Sequence, residues 1–184
     1  MVFQQYALFP WLSVLDNIAY GLKMKGVGKT ERHQRAHHYV EMVGLRGFEN
    51  AYPKTLSGGM RQRVSIARVL ANDPAVMLLD EPFAALDAMT RQVLQEQLVH
   101  IYEKSRKTII FITHSIDEAL LLSSRIILIT ARPGRVAHDI ANDLPHPRNA
   151  DVQLSELYIK LKQQIWGTVQ SEVVRSMEAS TALQ

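Results

Sequence analysis

Residues 56 to 87 read LSGGMRQRVSIARVLANDPAVMLLDEPFAALD, and the rest of the chain is arranged about this stretch. Ser57 stands where a helix N-cap belongs, and Gly58 and Gly59 leave the backbone after it bare. Free N–H groups and the positive end of a helix dipole then face whatever docks there, and an anion is the natural guest. Asp73-Pro74 ends the helix and launches a strand. Val76 to Leu79 are apolar without alternation, which predicts a strand buried on both faces. It runs into Asp80 and Glu81, and ligands of α/β sheets collect at the carboxyl ends of such strands. One carboxylate can hold Mg²⁺ through water while its neighbour polarises an attacking water, so an adjacent pair suits phosphoanhydride hydrolysis. A capped helix and an Asp-Glu turn are each common alone. Both at this spacing point to nucleotide chemistry.

These residues carry a resemblance to a family. LSGGMRQR resembles the signature motif of ATP-binding cassette (ABC) ATPases, VMLLDEP is similar to their Walker B motif, and AALD is similar to their D-loop. The resemblance implies an α/β fold: a RecA-like P-loop NTPase core with a mostly parallel sheet, incomplete here, joined to the ABC helical subdomain. It divides the chain into a Q-loop remnant of the core at 1–10, the helical signature subdomain at 11–72, the core with Walker B, D-loop and H-switch at 73–141, and a C-terminal helical extension at 142–184. It implies ATP and Mg²⁺ as ligands. Ser57, Gly58 and Gly59 would meet ATP held by a second subunit, Asp80 would organise Mg²⁺ through water, and Glu81 would polarise the attacking water. Asp87 would cross the dimer interface.

Composition agrees without adding much. A length of 184 residues allows one ordinary domain with a real core, and 21% charged with 47% apolar residues is usual for soluble globular chains. A net charge of +3 with no Lys/Arg block does not imply a nucleic-acid partner. Apolar runs such as Ala75 to Leu79 fall far short of the ~20 residues a membrane helix needs. No secretory leader is visible at the start, and the lack of cysteine fits the cytosol. By resemblance the location is peripheral, on the cytoplasmic face of the inner membrane. The partners implied are a second ABC ATPase subunit, transmembrane permease subunits and, indirectly, a periplasmic solute-binding protein.

The chain opens MVFQQYALFP, a β-prone run with no preceding turn or cap, as expected of a start in mid-domain. VFQ resembles the family's Q-loop, which assigns Gln4, with Gln5 adjacent, to Mg²⁺ and the attacking water. Ser13 and Asp16 resemble a capping box for a helix over about 13 to 24, and Trp11 before it is either core or a partner contact, core being the commoner fate. KGVGKT at 25–30 ends like a phosphate-binding loop, but Lys23 stands where its first Gly belongs, so it reads as a turn between helices. Thr30 is expected to cap a helix to about Val43 with Gly44 as its stop. His33 and His37 lie one turn apart on it, on what reads as a solvated face. On the signature helix, to about Ala71, Met60, Val64, Ala67 and Leu70 or Ala71 should face the core, with Arg61, Gln62 and Arg63 elsewhere.

Asp87 also caps a helix to about Lys104, whose stripe is Val93, Leu94, Leu98, Ile101 and Tyr102. Thr108 to Thr113 predict a second buried strand ending at His114, with Ser115 and Glu118 as a capping box for a helix to about Ser123. THSIDEA resembles the H-switch, which implies that His114 bonds a phosphate oxygen. Arg125 to Thr130 predict a third strand, turned by Arg132 to Arg135 into a shorter one at Val136 to Ile140. Leu154, Leu157, Ile159 or Leu161 and Ile165 give helical spacing near the end. The wording LFPWLSVLDNIAYGL, from Leu8 to Leu22, and the later ARPGRV and LPHPR resemble ABC ATPases that serve nitrate, sulfonate, taurine and bicarbonate importers.

No GxxxxGK[ST] loop occurs in these residues, nor an aromatic A-loop. If such a loop makes even three charge-assisted hydrogen bonds at ~1.5–3 kcal/mol each, ATP affinity without it falls roughly a thousandfold or more. The chain alone is therefore expected to be inactive, or to act as a non-hydrolytic subunit offering its signature turn to an intact partner, or to be a gene fragment. The resemblance places the strand before that loop between those at 108–113 and 125–130, and its loss leaves two sheet edges unpaired. The expected outcome is an unstable or aggregating isolated chain; a cooperative thermal transition with a high midpoint, recorded on purified monomer, contradicts it.

Overall fold

Tight capping and glycine turns break the chain into short elements, seen in a computed structural model that describes residues 1–2, 7–105, 107–131, 133–146, 148 and 150–181. They gather into two compact units, Met1–Ile112 and Thr113–Gln184.

In the first unit, helix α1 (Val14–Met24) starts as expected, with the Ser13 hydroxyl accepting from the Asp16 N–H at 3.1 Å. Buried Asn17 ties the approach to it by donating to the carbonyls of Phe9, Leu12 and Ser13. Trp11 is 71% exposed and is not core. Phe9 takes the place against Tyr20, ring centroids 4.4 Å apart, and leaves Trp11 only its flank. After a turn through Gly26 (φ +78), helix α2 (Lys29–Met42) begins before Thr30: Gly28 is its N-cap and no side chain caps it. The turn closes early, so the Arg32 N–H already meets the Gly28 carbonyl. Gly44, at φ +63, stops the chain after it as expected. His33 bonds Asp16 across α1 at 3.0 Å.

Helix α3 (Gly58–Ala71) is capped by Ser57, which accepts from the Met60 N–H at 3.2 Å. Strand β1 (Val76–Asp80) follows, then helix α4 (Ala88–Ser105) and strand β2 (Thr108–Ile112), which pairs parallel to β1 with Leu79 opposite Phe111. Parallel pairing requires such a crossover. Val2 adds a further parallel bridge at Leu79.

Neither strand is buried on both faces, contrary to the apolar run. In β1, Met77 and Leu79 are buried while Val76 and Leu78 are exposed; in β2, Ile110 and Ile112 are exposed. The inner face shares a small cavity with Ile66 and Leu70 of α3 and Leu94 and Leu98 of α4, and Phe83 stacks on Phe111. A strand is covered twice only where layers lie on both sides, and the helices here supply one. Val93 of α4 is likewise exposed and lies off the stripe.

The second unit holds helix α5 (Ile116–Leu122), strand β3 (Arg125–Ile129) and strand β4 (Val136–Ala141), an antiparallel pair, then a short 3₁₀ turn and helix α6 (Glu156–Thr181). β4 is longer than β3, not shorter, because the pairing runs on to Ala141. Arg132 of the connecting turn lies outside the described residues. Leu120, Ile126, Leu144, Tyr158 and Ile165 form the core. On α6 the buried stripe therefore runs Tyr158, Leu161, Ile165, and Leu154, Leu157 and Ile159 are exposed. Leu154 falls in the 3₁₀ turn, so its phase does not carry into the helix.

Buried Arg148 donates to the carbonyls of Leu120, Ser123, Asn142 and Leu144, and Asn142 donates to Leu120 and Ser123. These close the C-terminal end of α5, whose free carbonyls carry the negative end of its dipole. At the other end Asp117 accepts from Tyr158 Oη (2.5 Å) and Lys162 Nζ (2.6 Å). Burial pushes the Asp117 carboxyl up, but the bonds from Lys162 and Tyr158 outweigh it and hold the group below its ordinary range. A depressed folded-state pKa gives stability that is present above the unfolded value and lost as pH falls through the folded one. Urea midpoints measured from pH 6 down to about pH 3 should therefore fall more steeply for the wild type than for Asp117→Asn below pH ~4.

Candidate functional site

The end of β1 is held by main-chain bonds from two neighbours. Val2 N–H meets the Leu78 carbonyl (2.8 Å), Asp80 N–H meets the Val2 carbonyl (3.1 Å), and Glu81 N–H meets the Ile112 carbonyl (2.9 Å). Both carboxylates are thus carried on anchored backbone, and both side chains are partly exposed. Glu81 has φ +42, a left-handed conformation that costs an L-residue about 1–2 kcal/mol and persists only where the surroundings hold it. Buried Pro82 and Phe83 follow and lead through a tight turn, Leu86 N–H to Phe83 carbonyl at 3.2 Å, to Asp87.

Asp87 caps α4 as expected, accepting from the Thr90 N–H at 2.9 Å. That bond and the Thr90 hydroxyl hold its carboxyl below the ordinary range, with the Arg63 guanidinium adding attraction. The bare terminus of α3 lies against the same loop. A methyl group on Gly59 would stand 3.3 Å from the Ala85 carbonyl oxygen and 3.6 Å from Leu86. Ser57, Gly58, Gly59, Asp80, Glu81 and Asp87 therefore belong to one unit, with the helix terminus packed on the loop that leaves the carboxylates.

His114 lies in the second unit, ahead of α5. The capping there differs in detail from a simple box. The Glu118 N–H meets the Ser115 hydroxyl (3.3 Å), while the Thr113 hydroxyl accepts from the Ser115 N–H (3.0 Å) and donates to the Glu118 carboxylate (2.6 Å). Gln4 lies outside the described residues.

Sequence reasoning missed Gln62. It is 1% exposed, not on an outer face, and its Nε2 donates to the Pro82 carbonyl at 2.7 Å. The signal was available: Gln62, Ile66 and Val69 recur at i, i+4, i+7, the buried face of α3. Met60 is only half-buried. Arg63 is also more than surface charge, since it donates to the carbonyls of Val43 and Gly44 at 3.0 and 3.1 Å. Burial lowers its pKa and Asp87 opposes that.

Mg²⁺ fits this donor set in a limited way. No three His, Cys, Asp or Glu side chains converge on a point among the described residues, which thus offer no cage of their own. A hard carboxylate such as Asp80 on fixed backbone is what Mg²⁺ takes when phosphate oxygens and water complete its octahedron.

The family model described as ABC transporter matches residues 1–84. An aliphatic sulfonates import ATP-binding protein of Bacillus thuringiensis is 48% identical over 175 residues, 94% of this chain and 68% of its own length. The chain belongs to the ABC transporter ATP-binding proteins. An uncharacterized ABC transporter ATP-binding protein of Methanocaldococcus jannaschii is 50% identical over 178 residues, 97% of this chain and 66% of the relative. The chain thus spans about two thirds of the length of the curated relatives it matches. Among solved structures, the dimeric post-hydrolysis state of an ATP-binding cassette with ADP and Pi bound is 38% identical with a TM-score of 0.70. It covers 76% of this chain and 61% of that one. The fold is that of the ABC cassette ATPases, mixed α/β with parallel strands. Among the described residues no helix is long and apolar enough to cross a membrane.

The backbone at Glu81 makes its own prediction. Glycine adopts the left-handed region freely, so in urea unfolding Glu81→Gly should be more stable than Glu81→Ala by about 1 kcal/mol. At an unstrained strand end the order would reverse.

Proposed function

We propose that this chain supplies the signature turn and the hydrolytic carboxylates of an ATP-hydrolysing subunit in an ABC importer. One observation carries the reading: β1 ends on adjacent Asp80 and Glu81, with Glu81 held at φ +42, in the same unit as the bare, Ser57-capped terminus of α3. Free N–H groups at Ser57 to Gly59 attract the terminal phosphate of ATP seated on the Walker A loop of a second subunit. Asp80, with Gln4, would hold Mg²⁺, which supplies neutralising charge to the phosphate oxygens. Glu81 accepts a hydrogen bond from the attacking water and orients it in line; His114 bonds the terminal phosphate and marks its presence. Asp87 reaches toward the second subunit across the dimer interface.

The importer assignment draws on the sulfonate-type relative and on the LFPWLSVLDNIAYGL wording, and it implies permease subunits as partners at the cytoplasmic face of the inner membrane. A small oxyanion or sulfonate is the solute this analogy favours. A second reading is a non-hydrolytic subunit that offers Ser57 to Gly59 to an intact partner. Mixing the chain with an intact subunit separates the two, because only the first makes turnover depend on Glu81 of this chain.

In the assembled ATPase, Glu81→Gln should lower turnover at least a hundredfold with ATP binding retained. Normal turnover in that variant removes Glu81 from its role.

A further inference from the structure

We propose that Gln62 is a positioning residue for Glu81, linking the signature helix to the carboxylate of the same chain through one hydrogen bond. The inference rests on the hydrolytic role given to Glu81 above. A carbonyl only accepts, so the Gln62 amide must present its NH₂ group to Pro82. That carbonyl belongs to the residue directly after Glu81, and Pro82 has no N–H with which to anchor itself. The Glu81 peptide is therefore gripped upstream by Val2 and Ile112, through the Asp80 and Glu81 amides, and downstream by Gln62. A left-handed glutamate persists only where its surroundings over-determine it, and these bonds hold it on both sides.

The other end of the amide argues against a purely stabilising role. Gln62 Oε1 is buried and has no partner among the described residues. A buried acceptor left unpaired cancels much of what the donor contributes, and an apolar side chain of the same length would serve packing as well. What only the amide provides is a fixed donor beneath Pro82. Because Gly59 is packed against the Ala85 carbonyl on the same loop, a shift of α3 as an anion docks at its terminus is passed to Glu81.

The test uses Gln62→Met, which keeps length and burial and removes both the donor and the unpaired oxygen. Native-state amide exchange is followed on the full chain at Glu81, Ala84 and Leu86, whose N–H groups bond Ile112, Glu81 and Phe83, and along α3. Exchange should rise tenfold or more at Glu81 and Ala84 and stay unchanged along α3, with the urea midpoint at or above that of the wild type. Unchanged exchange at Glu81, or a rise shared equally by α3, overturns the proposal. In the assembled ATPase, kcat should fall at least tenfold with KM for ATP within twofold, and Gln62→Met should add nothing to Glu81→Gln; an unaltered kcat also overturns it. If local exchange rises while wild type and Glu81→Gln turn over alike, the hydrolytic reading of Glu81 fails and the structural link stands. Should Gln62→Met not fold, Gln62→Glu decides: its buried carboxyl donates to Pro82 when protonated and cannot when ionised. Local exchange relative to α3 must then rise with pH, and a pH-independent ratio sinks the idea.

Discussion

A carboxylate on a left-handed backbone residue at the end of a parallel strand is the constraint about which the first unit is built. Glu81 cannot hold φ +42 unaided, and the surrounding bonds come from parts of the chain far apart in sequence: Val2, Gln62 and Ile112. Each arrives by a different route. Val2 comes by a parallel bridge, Ile112 through the crossover of α4 and β2, and Gln62 from the buried face of α3. The strain at one residue is held by three elements at once, and the same elements bring the helix terminus and the carboxylates into one body.

Helix α3 serves both ends of this arrangement. Its first turn is left bare by Gly58 and Gly59, so its positive end faces outward, while Val64, Ile66, Ala67 and Leu70 pack inward. Arg63 fastens it sideways to the carbonyls that end α2, a place where a cation meets the negative pole of a helix. Asp87 lies close enough to that guanidinium to feel its charge, so the cap of α4 and the clamp of α2 act on each other.

The second unit solves a different problem, that of a small core with few layers. Its short helix α5 is closed at one end by the carbonyl-bound Arg148 and Asn142, and at the other by Asp117 with Tyr158 and Lys162. The buried Arg148 charge is tolerable because its guanidinium donates to the carbonyls of Leu120, Ser123, Asn142 and Leu144.

Local chemistry was legible from the residues themselves. Ser13, Ser57 and Asp87 cap their helices because a short side-chain oxygen can reach an N–H two or three residues on, and Gly44 ends α2 at a positive φ. The candidate carboxylates stood out for the same reason: strand, Asp and Glu are contiguous. Burial was not legible, because it depends on what covers a surface. The same apolar run that reads as a doubly buried strand has one covered face in β1, and Trp11 lost its place to Phe9. For Gln62 spacing marked the buried face but could not name its partner, a carbonyl twenty residues onward. The sequence by itself determined the capped helix, the strand and the chemistry of their ends, through interactions spanning a few residues. Only the tertiary structure decided which faces are buried and what holds Glu81 in a conformation it would not choose alone, since both depend on contacts between distant segments.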